Sequence, residues 1–238
     1  MNATRAEQIN DTLIAYYKNA CWEFGYASLC HMALPTALEG KTVIDIGCRR
    51  GKGVFKLSER VGDMGHVVGI DWVEEHIREA IERSDRASRD TGLASNNMEF
   101  HLAYPEDLGS AGIGDSAFDV AFINSILHLT CKPSDVIVEL HRVLKPGGLL
   151  VLEIALADGP RDGAIVEEAR KLGNSIQAAP CRKEFEGLLN MIGYDVEEAE
   201  EPRTVEPNMG FKHGYIVPTV PNDEAVTFKA CVLHARKR

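Results

Sequence analysis

The sequence is poor in cysteine, and its cysteines are too scattered to form a disulfide framework. The six are Cys21, Cys30, Cys48, Cys131, Cys181 and Cys231. No CxxC pair is present, so we predict no metal site. There is also no apolar run of about 18 residues, which a membrane-spanning helix would need. Because the opening residues MNATRAEQIND lack the apolar core of a signal peptide, we predict a cytoplasmic protein without a membrane partner.

Positive charge is the second scarce feature of the chain. Lysine and arginine together number 26, against 36 aspartates and glutamates, and the formal net charge is −10. A protein that binds nucleic acid needs a basic surface, so we predict that nucleic acid is not a partner. The apolar fraction of 45% and the charged fraction of 26% are typical of a globular chain. At 238 residues, we predict a single domain over residues 1–238.

The chain also lacks the glycine pattern of nicotinamide-binding folds. The stretch TVIDIGCRRGKG, residues 42–53, is an apolar run that breaks at Gly47 and leads into an amphipathic pattern. Arg49 and Lys52 stand where G-x-G-x-x-G requires glycine, which argues against a dehydrogenase. A strand, a glycine turn and a helix still let the backbone approach a ligand, with the helix N-terminus pointing at it.

Apolar strands and amphipathic helices alternate after this stretch. We predict strands at 42–46, 66–71, 98–102, 118–124 and 149–155, and helices at 51–61, 73–90 and 133–144. A later helix at 183–193 precedes a strand that starts at 194, and a last strand covers 225–234. The strands are almost continuously apolar, which indicates that both faces of the sheet are covered. We therefore predict an α/β fold with a doubly wound, seven-stranded, mostly parallel sheet and an N-terminal helical extension.

Three features near the ends of these strands indicate a nucleoside ligand. Asp71 ends the second strand, where an acid is placed to accept both hydroxyls of a ribose. Trp72 follows it and offers an aromatic face for a purine. The turn AYPEDL, residues 103–108, places Glu106 where a purine amino group can be met.

Together with FDVAFINSILH from residue 118 and RVLKPGG from residue 142, these motifs resemble the class I S-adenosylmethionine (SAM)-dependent methyltransferases over roughly residues 30–198. The resemblance implies a Rossmann-like methyltransferase fold and an enzyme that uses SAM, releases S-adenosylhomocysteine and methylates a small-molecule acceptor. We predict a helical extension over residues 1–40 that acts as a lid or packs on the edge of the sheet, a cofactor-binding core over 41–156 and an acceptor-side part over 157–238. A homodimer stays open. The cofactor-binding residues implied are Asp45, Gly47, Cys48, Arg49, Gly51, Asp71, Trp72, Glu106 and Asn124.

Within that class, the segment YASLCHMALP, residues 26–35, is similar to arsenite methyltransferases. Cys30 stands where they carry a substrate-binding cysteine. Their two other substrate cysteines would fall at about Ser175 and near Pro221, and neither position is cysteine here. Because one thiolate cannot hold trivalent arsenic as three do, we do not expect arsenite as the substrate.

Methyl transfer from a sulfonium chiefly needs alignment of the acceptor and exclusion of water. A base is needed only when the acceptor must lose a proton. We predict His128 and Cys30 as catalytic residues, with His31 as a further candidate. The alternatives are a loop histidine held by a hydrogen bond and a buried thiol.

Several questions about the cofactor remain open at this point. Arg49 or Arg50 either pairs with the SAM carboxylate or projects to solvent. Asp45 is expected to organise the turn through hydrogen bonds to the backbone. Two other functions compete with the enzyme: an inactive SAM-binding module, and an enzyme whose SAM-type cofactor carries extra negative charge.

Overall fold

The computed structural model describes residues 5–20, 31–208, 218–223 and 226–238. Its helices are α1 (Arg5–Asn19), α2 (Lys52–Val61), α3 (Glu74–Asp90), α4 (Pro133–Val143), α5 (Gly163–Lys171) and α6 (Arg182–Ile192). Its strands are β1 (Thr42–Ile46), β2 (His66–Asp71), β3 (Met98–Leu102), β4 (Phe118–Asn124), β5 (Leu144–Ala157), β6 (Tyr194–Glu198), β7 (Arg203–Val205) and β8 (Phe228–Lys237). Within the described ranges, no helix is long and apolar enough to cross a membrane.

The strands form one mixed sheet in the order β3-β2-β1-β4-β5-β8-β6, and β7 pairs with β8 beside this path. Strands β1 to β5 are parallel, while β8 runs antiparallel to β5, β6 and β7. The predicted doubly wound, mostly parallel sheet is therefore confirmed, with seven strands in its main path. No strand was predicted at the position of the short β7.

The sheet order reverses between β1 and β4, which places a crevice at their carboxyl ends. Ile46 pairs with Ile70 of β2 on one side and with Ile123 of β4 on the other. Gly47, Asp71 and Asn124 therefore lie at the same edge of the sheet, although they are far apart in the sequence. This edge is where parallel α/β sheets bind ligands.

Apolar side chains cover both faces of the central strands, which makes this edge a rigid support. Alternate residues of β1 point to opposite faces, so Ile44 and Ile46 join one core cluster and Val43 joins the other. Helix α2 buries Val54, Leu57 and the last residue of the helix against the second cluster. Each such side chain contributes about 1.5–3 kcal/mol when fully buried.

Candidate functional site

A cavity of about 320 Å³ opens at the carboxyl ends of β1, β2 and β4. Its lining combines apolar side chains, two buried acids and several cationic side chains. Six of the predicted cofactor-binding residues line it: Asp45, Gly47, Arg49, Asp71, Trp72 and Asn124. Ten further residues complete the lining: His31, Met32, Ile46, Lys52, Gly53, Lys56, Val73, His76, Phe122 and Ile126.

The turn after β1 brings bare backbone against the cavity. Gly47 has a φ of 76°, and a Cβ atom there would lie 2.6 Å from Cδ1 of Ile126, so a side chain would be both strained and crowded. The amide N–H groups of Gly47 and Cys48 donate to the carbonyl of Ile70 at 2.8 and 3.0 Å, which ties the turn to β2. Gly51 does not line the cavity, and its φ of 82° instead lets α2 begin.

The two arginines of this turn point to different surroundings. Arg49 has a φ of 49°, a left-handed conformation that glycine adopts at no cost and other residues adopt at about 1–3 kcal/mol. Its side chain is exposed and lines the cavity. The Arg50 guanidinium instead lies 3.0 Å from Oε1 of Glu79, outside the cavity lining. Of the two, only Arg49 is placed to meet a ligand.

Asp71 is buried and already accepts three hydrogen bonds. The amide N–H of Arg49 donates to Oδ2, and that of Val73 donates to Oδ1, each at 2.9 Å. The imidazole Nδ1 of His76 lies 3.1 Å from Oδ1. A carboxylate has about four lone-pair sites, so one acceptor position is left for a ligand hydroxyl. The sequence did not point to His76, which lies in the first turn of α3.

Asp45 is the opposite case, a buried acid without a donor. Its side chain is only 5% exposed, and in the part of the chain that the structure describes no group donates a hydrogen bond to it. The prediction that Asp45 organises the turn through backbone hydrogen bonds is therefore wrong. Burial, reinforced by the charge of Asp71, raises the pKa of Asp45 to about 8. Oδ2 lies 2.7 Å from the position of a Cβ on Gly53, so only glycine leaves room for this carboxylate.

The amide of Asn124 is clamped at the end of β4. Its Nδ2 donates to Oε2 of Glu153 at 2.9 Å, and its Oδ1 accepts from the hydroxyl of Ser125 at 2.6 Å. Glu153 is 2% exposed, and it also accepts a hydrogen bond from the amide of Ala33. Glu153 was not among the predicted site residues, although a lone acid inside the apolar run LLVLEIA was a signal for it.

An aromatic cluster closes the site beside β3. The ring of Tyr17, from α1, stacks on Tyr104 with centroids 5.0 Å apart and lies 4.8 Å from the ring of Trp72. Its hydroxyl is 3.0 and 2.9 Å from the two carboxylate oxygens of Glu106, which also accepts from the amide of Lys132. Burial raises the pKa of Glu106. Glu106 is thus covered by α1 and does not line the cavity.

Cys48 and the predicted catalytic residue His128 are not part of the cavity lining. Cys48 is buried, burial raises the pKa of its thiol, and its Sγ donates to the carbonyl of Arg49 at 3.7 Å. His128 is also buried, and its Nε2 donates to the carbonyl of Ala155 at 2.8 Å. Burial lowers the pKa of His128 to about 4, and the ring does not line the cavity. Cys30 lies outside the described residues, so its role stays a prediction, as does that of His128.

His31 lines the cavity, as His76 does. Its Nε2 lies 2.9 Å from Oε1 of Glu200, and its side chain is 53% exposed. Ser175 is buried and Pro221 is exposed, and neither lines the cavity. Within the described residues, no group of three histidine, cysteine, aspartate or glutamate side chains is arranged to hold a metal ion.

Comparison with known proteins gives consistent matches. The family model described as "Methyltransferase domain" matches residues 37–200. The arsenite methyltransferase of Aquipseudomonas alcaligenes is 30% identical over 177 residues, which cover 74% of this chain and 49% of that protein. The arsenite methyltransferase of Homo sapiens is 30% identical over 184 residues, which cover 76% of this chain and 47% of that protein. The chain therefore spans about half the length of the curated relatives it matches.

A solved structure shows the same fold. It is that of an arsenic(III) S-adenosylmethionine methyltransferase from Chlamydomonas reinhardtii, with a TM-score of 0.75 and 23% identity. The match covers 97% of this chain and 73% of that one. At 23% identity, this match shows that the two proteins share the arrangement of the sheet and helices.

Proposed function

This chain belongs to the methyltransferase domain family, and from that premise we propose that it is a class I SAM-dependent methyltransferase acting on a small-molecule acceptor. The observation that carries the proposal is Asp45, a buried carboxylate that lines a cavity at the reversal point of the sheet and accepts no hydrogen bond from the residues that the structure describes. Such a group suits a ligand that brings its own cation. The methionine part of SAM carries an ammonium group beside a carboxylate.

The other groups of the cavity match the remaining parts of SAM. The first amide groups of α2 have no side-chain cap, because the residue before the helix is Gly51. These amides and the guanidinium of Arg49 would receive the carboxylate. The free acceptor position of Asp71 would receive a ribose hydroxyl. Trp72 lines the cavity next to Asp71 and offers a ring face to the purine.

The cofactor supplies an electrophilic methyl group on a sulfonium. The chain positions the reacting groups and excludes water from them. Phe122, Ile126 and Met32 give the cavity apolar walls that exclude water. Asn124 is held in one orientation by Glu153, which preorganises its amide toward the reacting groups. If the acceptor must lose a proton, we propose that His31 receives it.

Trivalent arsenic does not fit this chain as an acceptor. In the proposal, the positions that correspond to the second and third substrate cysteines of arsenite methyltransferases are Ser175 and Pro221, which offer no thiolate. We therefore propose a different small molecule. Dimerisation, a cytoplasmic location and the absence of nucleic acid as a partner stay predictions.

The direct test is calorimetric titration of the purified chain with SAM and S-adenosylhomocysteine, followed by mass spectrometry of ligand carried through purification. We expect both nucleosides to bind with micromolar dissociation constants. Incubation with extract fractions should then convert SAM to S-adenosylhomocysteine in the presence of the chain. Binding without product in every fraction would favour the inactive binding module, and absence of binding would contradict the proposal.

Tyr17→Phe tests the aromatic end of the site. In the proposal Glu106 meets the purine amino group, but in the structure the Tyr17 hydroxyl occupies that carboxylate. Removing the hydroxyl should tighten SAM binding about threefold to tenfold, because one hydrogen bond of about 1 kcal/mol need not be exchanged. Tyr16→Phe is the matched control, since the Tyr16 hydroxyl donates to the carbonyl of Leu129 instead. Weaker binding by Tyr17→Phe would show that the hydroxyl helps to hold the cofactor.

A further inference from the structure

The cavity carries more positive charge than the proposed cofactor uses. Arg49, Lys52 and Lys56 all line it, and all three are exposed. Among the residues that the structure describes, none of the three has an acidic side chain within ion-pair distance. Arg50, in the same turn as Arg49, differs from these three because it pairs with Glu79. In a chain with a net charge of −10, this local excess of cations indicates an anionic ligand.

Lys52 and Lys56 form a pair on one face of α2. They are four residues apart in a helix that runs from Lys52 to Val61, so their Cβ atoms are neighbours about 6 Å apart. Like charges at this spacing destabilise a helix, and here they also sit in its first turns, where the positive end of the helix dipole adds to the repulsion. An anion bound between them would remove both penalties.

The charges can be assigned one by one. In the proposed function, the SAM ammonium pairs with Asp45, its carboxylate pairs with Arg49, and its ribose contacts Asp71. The sulfonium adds one further positive charge. Lys52 and Lys56 are then left without a counter-charge, in a cavity that also holds a cation.

We propose that Lys52 and Lys56 bind an anionic group of the methyl acceptor, such as a carboxylate or a phosphate. This inference rests on the proposed function and specifies its substrate class. The same chemistry could reach the two lysines on a cofactor with an additional carboxylate, but SAM already has its carboxylate partner in Arg49. The acceptor enters the same cavity beside His31 and Met32, so an acid on the acceptor orients it while neutralising the pair.

The experiment titrates the protein saturated with S-adenosylhomocysteine with malonate, inorganic pyrophosphate and the uncharged malonamide. We expect the two anions to bind with millimolar dissociation constants that weaken as salt is raised from 50 to 500 mM, and malonamide to bind at least tenfold more weakly. Lys52→Gln/Lys56→Gln should weaken anion binding at least tenfold and change S-adenosylhomocysteine binding less than twofold. Arg60→Gln/Arg89→Gln removes the same charge from exposed helix positions outside the cavity and should leave both affinities unchanged within twofold.

Three outcomes would overturn the inference. Equal binding of malonate and malonamide would exclude an anion site, and equal loss in the control variant would reduce the effect to net charge. A SAM analogue with a carboxylate on its methyl group provides the third comparison. If the wild type prefers it to SAM tenfold and the lysine variant loses that preference, the pair serves the cofactor and not the acceptor. A failure of S-adenosylhomocysteine to bind at all would instead count against the proposed function.

Discussion

Asp45→Asn should raise the melting temperature at pH 8 and, in the same protein, weaken SAM binding at least tenfold. Burial and Asp71 raise the pKa of Asp45 to about 8, against about 3.9 in an unfolded chain. The folded state therefore holds this proton more tightly than the unfolded state does. The contribution of Asp45 to stability is therefore greatest below pH 4 and is lost as the pH rises from about 4 to 8. Asparagine keeps the shape without the charge, so the variant avoids that loss, which we place at about 2–4 kcal/mol at pH 8.

Binding changes in the opposite direction because the proposed partner of Asp45 is an ammonium group. A hydrogen bond to a charged group contributes about 1.5–3 kcal/mol, which corresponds to roughly tenfold to hundredfold in affinity. In the wild type, Asp45 must ionise when SAM binds, so affinity should rise as the pH is raised from 6 to 7.5, with release of a proton. The variant should show neither effect. Calorimetry in two buffers of different ionisation enthalpy measures both.

Asp119→Asn is the matched control for this prediction. Burial acts to raise the pKa of Asp119, but the amide of Thr42 and the ammonium of Lys145 outweigh it and hold the pKa below its usual value. The pKa shift of Asp119 is thus opposite in direction to that of Asp45. The stability that ionised Asp119 contributes is present above its unfolded pKa and is lost as the pH falls through its folded pKa. Asp119→Asn should lower the melting temperature at pH 8 and leave SAM binding unchanged. A lower melting temperature for Asp45→Asn at pH 8 would show that Asp45 is charged and paired.

Asp71→Ala should weaken SAM binding about a hundredfold or more and also destabilise the fold. The substitution removes the acceptor of the amides of Arg49 and Val73 and of the His76 ring. Leaving such buried donors without a partner costs about 1–3 kcal/mol each, so we expect a loss of about 2–4 kcal/mol in urea unfolding. The turn after β1 then loses one of its connections to β2, that from the amide of Arg49, and the ribose loses its acceptor.

Two comparisons separate these contributions. Asp63→Ala removes an exposed loop aspartate that also accepts a backbone amide, that of Ala94, and should cost less than about 1 kcal/mol without affecting binding. S-adenosylhomocysteine and its 2′-deoxy analogue, titrated into the wild type and Asp71→Asn, form a double-variant cycle. If the wild type binds both nucleosides equally, Asp71 supports the turn but does not hold the sugar.

The strands that support the site could be predicted from the local sequence pattern. Four of them, 42–46, 66–71, 98–102 and 118–124, have the bounds that the sequence predicted, because each is an apolar run closed by glycine or polar residues. The strand predicted at 149–155 extends over Leu144–Ala157, since its first residues form the turn and bulge beside β4. Helix α5 was not predicted, although Asp162 caps its first amides.

The side chains of the site also divide into those that local sequence pattern predicted and those that it did not. Asp71 was selected correctly as a cavity residue because it ends a strand in a known kind of turn. Glu106 was placed against a purine, but Tyr17, 89 residues earlier, covers its carboxylate. Glu153 was not selected because its significance depends on the amide of Asn124, on a neighbouring strand. Both contacts join residues that are distant in the chain, so local pattern does not reveal them.

The amino-acid sequence by itself determined the positions of the main parallel strands along the chain, the glycine turn and the acid at the end of β2, because apolar periodicity and glycine placement act over a few residues. Only the tertiary structure decided which charges are satisfied. Among the residues that the structure describes, none donates a hydrogen bond to Asp45, Arg50 pairs with Glu79, and Lys52 and Lys56 line one cavity. The physical reason is that the pKa and the partner of an ionisable group depend on burial and on neighbours within a few ångströms, which the fold assembles from distant parts of the chain.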